Sequence, residues 1–94
     1  MRVIMRLTAK PGKSEDLKAV LARLIAPTRR EPGCLGYLVL QNAADPCDFT
    51  LVEEWTTEAA LDAHMATAHV QDAFAKGLPL LAAEPDMRRY LIVG

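Results

Sequence analysis

Ninety-four residues suffice for one domain, residues 1–94, because a second core needs about 50 residues of its own. Hydrophobic residues at 51% and charged residues at 24% argue against disorder and against a coiled coil, and a net charge of −1 with scattered Lys and Arg removes the basic footprint that nucleic-acid binding requires. No apolar run approaches the roughly 18 residues of a membrane span, and Met1–Arg6 alternates in polarity where a signal peptide would be continuously apolar, so we expect a cytoplasmic chain that uses no membrane.

From Arg2 to Thr8, Val3, Met5 and Leu7 alternate with Arg2, Arg6 and Thr8, which predicts a strand. Lys10-Pro11-Gly12-Lys13 ends it, and Ser14 before Glu15 and Asp16 reads as a helix N-cap. Leu17, Val20, Leu21, Leu24 and Ile25 form the apolar stripe of an amphipathic helix. Pro27 is expected to kink or restart that helix, and Glu31-Pro32-Gly33 ends it.

Cys34–Asn42 and Cys47–Thr56 are rich in β-branched, aromatic and aliphatic residues around the turn chemistry of Ala43-Ala44-Asp45-Pro46, so they read as a hairpin. A turn centred on those four residues pairs Cys34 with Trp55, Gly36 with Glu53 and Cys47 with Asn42. The two cysteines then lie roughly 20 Å apart, out of disulfide reach, and we expect both to be free thiols.

Thr56 or Thr57 caps a second helix that carries Leu61, His64, Met65 and Ala68 on one face, with Val70, Ala73 and Phe74 continuing the stripe beyond a possible bend at Thr67. Met87–Val93 is a final strand. The order β-α-β-β-α-β predicts an α+β, ferredoxin-like fold with helices on one face of an antiparallel sheet. The other face would present Leu35, Tyr37, Val39 and Gln41 beside Asp48, Thr50, Val52 and Glu54, an area to be covered by a second copy in a homodimer.

No zinc-type Cys/His spacing, Gly-rich phosphate loop or nucleophile elbow is present. On one continuous helix His64 and His69 would point roughly 140° apart and could not share an ion; only a break near Thr67 would bring them together, so no metal site is expected. Glu53 and Trp55 share a sheet face with Phe49 and Leu51, and His64 lies on the apolar face of its helix. Turned inward, Glu53, Trp55 and His64 line one mostly apolar pocket, although an inward Glu and His can also simply satisfy each other.

Ala9-Lys10-Pro11-Gly12-Lys13, Thr28-Arg29-Arg30-Glu31-Pro32-Gly33-Cys34-Leu35-Gly36-Tyr37, Glu53-Glu54-Trp55-Thr56 and Ala60-Leu61-Asp62-Ala63-His64 together resemble the antibiotic biosynthesis monooxygenase domain family, over essentially the whole chain. The resemblance implies a dimeric α+β barrel with a pocket between sheet and helices. It implies a cofactor-independent monooxygenase of the quinol monooxygenase type, acting on a small quinol- or anthrone-like aromatic with dioxygen. His64 would be the base, Glu53 would orient it or bind substrate, and Trp55 would shape the ring space. Where haem-degrading relatives carry Asn, Trp and His, this chain has Met5, His64 and Phe74, so Met5 and Phe74, with His69, are read as substrate-binding residues instead. Two other classes stay open, a cofactor-free isomerase of a small carbonyl compound and a non-catalytic small-ligand binding protein.

Overall fold

A computed structural model describes all residues, 1–94. The elements in chain order are β1 (Arg2–Thr8), α1 (Ser14–Arg29), β2 (Cys34–Asn42), β3 (Asp45–Trp55), α2 (Glu58–Met65), α3 (Ala68–Gly77), a 3₁₀ turn at Leu78–Leu80, and β4 (Asp86–Tyr90). The strands form one antiparallel sheet in the order β2-β3-β1-β4, the ferredoxin-like arrangement, with the helices on one face. The alternation in β1 has the predicted consequence: Val3, Met5 and Leu7 are buried against the helices, together with Leu17, Leu21 and Leu24 from the stripe of α1.

Several boundaries differ from the sequence reading. Lys13, not Ser14, stands at the N-cap of α1, and no side chain caps it. Pro27 lies in the last turn, so α1 runs on to Arg29 as one helix. The second helix is two helices, α2 and α3. Thr67 ends the first by donating to the His64 carbonyl (2.7 Å) and starts the second by accepting from the Val70 N–H. The last strand stops at Tyr90, three residues earlier than the apolar run suggests. Arg2, the first residue of β1, already pairs with Tyr90, so later residues have no paired strand residue beside them.

The hairpin register carries the largest correction. Asn42 accepts from the Ala44 N–H through its side chain (2.8 Å), so the turn is Ala43-Ala44 and β3 begins at Asp45, ahead of Cys47. At the other end Cys34 faces Trp55 as expected, but Leu35 is an extra residue, a β-bulge, and Tyr37 faces Glu53 while Gly36 faces Glu54. The one-residue slip exchanges the two faces of β2. Tyr37 is fully buried against the helices, with Val39 half-buried on the same side, while Leu38 and Leu40 take the open face beside Thr50 and Val52. Arg29 donates twice to the Tyr37 carbonyl, at 3.2 and 3.0 Å.

Candidate active site

A small, partly open cavity lies between the sheet and the helices, with a volume of about 60 Å³ accessible to a water-sized sphere. Its wall is mostly aliphatic, from Met5, Leu7 and Leu51 on the strands to Met65, Val70 and Phe74 on the helices. The polar groups on it are few: Tyr37, Glu53 and His64. Each comes from an alternation or a helical spacing that aims it inward. Tyr37 and Glu53 are cross-strand partners on β2 and β3, and His64 is one turn after Leu61 on the buried face of α2.

Glu53 is buried, and loss of hydration raises its carboxyl above the usual carboxylate range; a hydrogen bond from Trp55 and the nearby His64 oppose the rise, and Glu31 adds to it. Trp55 is wholly buried and is not part of the cavity wall; it stands behind Glu53 and His64. It packs with Val3 and Leu61, donates its indole N–H to Glu53 Oε1 at 3.0 Å, and lies against His64 with ring centroids 4.7 Å apart. Burial pushes the Tyr37 phenol up, with the charge on Glu53 adding to the effect, so Tyr37 stays protonated. Both cysteines are free, and burial pushes the Cys34 thiol up, away from thiolate chemistry.

His64 is held from behind. Glu31 Oε2 lies 2.6 Å from His64 Nδ1, while His64 Nε2 stands 3.9 Å from Glu53 Oε1, beyond hydrogen-bond reach. A carboxylate only accepts, so the imidazole proton is assigned to Nδ1 and the lone pair to Nε2. His69 stands outside the cavity, with its Nε2 2.8 Å from the same Glu31 oxygen. Met5 and Phe74 do line the cavity.

Glu31 was not singled out by the sequence as a site residue. Its position depends on the Glu31-Pro32-Gly33 loop, where Gly33 has φ +83° and a Cβ there would come within 2.7 Å of both Ala60 Cβ and Thr56 Oγ1. Glycine therefore lets the loop press against the start of α2 and set Glu31 beside His64. The signal in the sequence was the Pro-Gly pair after an acidic residue, which announces a tight loop but not what the loop touches.

The antibiotic biosynthesis monooxygenase family model matches residues 1–76. The chain belongs to this family. Among relatives, the Synechocystis protein sll1783, which has no assigned function, is 33% identical over 86 residues covering 92% of this chain. This chain spans only 58% of the length of that relative. YcnE of Bacillus subtilis, which carries a provisional monooxygenase name, is 34% identical over 83 residues, 88% of this chain and 87% of the relative. YgiN of Escherichia coli, whose name proposes a quinol monooxygenase, is 28% identical over 82 residues, 76% of this chain and 78% of the relative. A crystal structure described as an antibiotic biosynthesis monooxygenase superposes with a TM-score of 0.93 at 29% identity, covering 99% of this chain and 98% of that one. No helix of this family member is long and apolar enough to cross a membrane.

Proposed function

We propose that this chain is a cofactor-independent monooxygenase that oxidises a small, electron-rich quinol- or anthrone-like aromatic with dioxygen. The observation that carries the reading is the Glu31–His64 pair on an apolar cavity: the carboxylate fixes the Nδ1 proton and turns the basic Nε2 toward the Glu53 side, where Tyr37 and Glu53 also stand. The monooxygenase names of relatives supply the reaction class, and the quinol in the name of YgiN supports the substrate class.

In this mechanism His64 Nε2 removes a proton from a phenol or an activated CH₂, and Tyr37 donates a hydrogen bond to the resulting oxyanion. The carbanion passes one electron to dioxygen, and the radical pair recombines as a carbon-bound peroxide. The His64 imidazolium returns its proton to that peroxide, and loss of water leaves a carbonyl. For a methylene substrate the balance is R₂CH₂ + O₂ → R₂CO + H₂O, with both electron pairs drawn from the substrate. The aliphatic walls keep water away from the reactive intermediates.

The test is oxygen uptake by the purified protein, with a chelator present, against hydroquinones and anthrones, with autoxidation subtracted. Catalysed uptake with an oxygenated product supports the reading; no uptake across the panel from folded protein overturns it and favours an isomerase or a binding protein. Removing a positioned base typically costs about 10²- to 10⁴-fold, so His64→Ala is expected to lose turnover by that factor with its circular dichroism unchanged. Unchanged turnover in the folded variant removes His64 from the mechanism. The same reading includes a homodimer formed through the open sheet face.

A further inference from the structure

Behind the base, the break at Thr67 does what one continuous helix could not. His64 near the end of α2 and His69 near the start of α3 approach one carboxylate, Glu31, from two directions, at 2.6 and 2.8 Å. The three donor atoms, His64 Nδ1, His69 Nε2 and a Glu31 oxygen, all lie within 4.8 Å of one another. We propose that Glu31, His64 and His69 form a site for a divalent first-row transition-metal ion of the zinc class.

Two imidazoles and one carboxylate are the donor set of such ions, whereas magnesium and calcium take oxygen ligands throughout. With bonds of about 2.1 Å to a tetrahedral ion, neighbouring donors stand roughly 3.4 Å apart, so the carboxylate must withdraw by less than about 1 Å from its present contacts. Glu31 can do this by side-chain rotation, because it sits in the loop after α1, and rotation of the His64 and His69 side chains on their helices brings the two nitrogens, now within 4.8 Å of each other, to the same spacing. The His64 side chain is 4% exposed and that of His69 27%, so the cluster has an inner wall and a solvent-facing side from which an ion can enter and where water can fill the remaining position.

Binding there changes the base. An ion on Nδ1 takes the place of the proton that Glu31 now holds, and the neutral ring then keeps its one proton on Nε2, toward the cavity. On the proposed monooxygenase reading, the ion would be an inhibitor that turns the base into a hydrogen-bond donor.

The experiment is titration of chelator-stripped protein with zinc against a chromophoric chelator, for the wild type, Glu31→Gln, His69→Ala and His69→Gln, the last keeping a side chain should the alanine variant unfold. We expect one zinc per chain in the wild type, affinity at least about tenfold weaker in each variant, and no displacement by magnesium. No zinc on the wild type, or equal affinity in folded His69 variants, overturns the proposal. Binding does not depend on turnover, so zinc uptake by a protein inactive in the oxygen assay sinks the monooxygenase reading and leaves the metal site standing. If the protein is active, zinc is expected to inhibit the wild type, with a chelator restoring activity, and to inhibit the His69 variants less. Full activity of zinc-loaded wild type overturns the inhibitory role.

Discussion

Glu53 joins the two kinds of demand that a buried polar site makes. Its carboxyl is raised chiefly by loss of hydration, so folding favours the protonated form, and the stability this gives below the ordinary carboxylate range is lost as pH rises through the raised value. Glu53→Gln keeps an oxygen for the Trp55 indole N–H and removes the charge. Its melting temperature is therefore expected to exceed that of the wild type at mildly alkaline pH, by a margin that shrinks on acidification toward the ordinary carboxylate range. A margin independent of pH would show that the Glu53 charge costs the fold nothing. At this scale the sequence was informative about which residues turn inward from β3 and α2, because Glu53, Trp55 and His64 follow from strict periods. It was silent on what each touches, and that is how Trp55 came to stand behind the site and Glu31 came to be missed.

Elements are placed here by two short breaks. Gly33 combines a positive φ with a backbone pressed against Ala60 and Thr56, so Gly33→Ala meets both a strained conformation and an overlap. A cost of about 2 to 4 kcal/mol is expected, read from urea unfolding; a change under about 0.5 kcal/mol would mean that the loop moves freely and does not hold Glu31 in place. Thr67 binds the His64 carbonyl and caps α3 with one hydroxyl, so Thr67→Ala is expected to cost about 1 to 2 kcal/mol by the same assay. The Thr67 break was visible in sequence only as an optional bend. A threonine is tolerated inside a helix and favoured at a cap, and the choice falls to whichever packing buries more apolar surface.

Across the whole molecule, one sheet face is covered by helices and the other bears Ile4, Leu38, Leu40, Val52 and Tyr90, bordered by the Arg2–Glu54 and Arg6–Asp48 ion pairs. Leu38, Leu40 and Tyr90 are each 44% exposed or more, and we expect a second copy to cover them. Sedimentation is then expected to report a dimer for the wild type and a monomer for Leu38→Asp/Leu40→Asp, and a monomeric wild type would remove the dimer from the proposal. The amino-acid sequence determined the order of strands and helical segments and the inward face of β1, α1 and β3, because periods of 2 and 3.6 residues are local and survive any choice of partner. Tertiary structure alone decided the register of β2, where the Leu35 bulge moved Tyr37 from the open face to the cavity. It also decided the end of β4, which needs a paired residue on β1, and the meeting of Glu31, His64 and His69. Each of these depends on which segments lie side by side, and a pattern read along one segment carries no record of its neighbour.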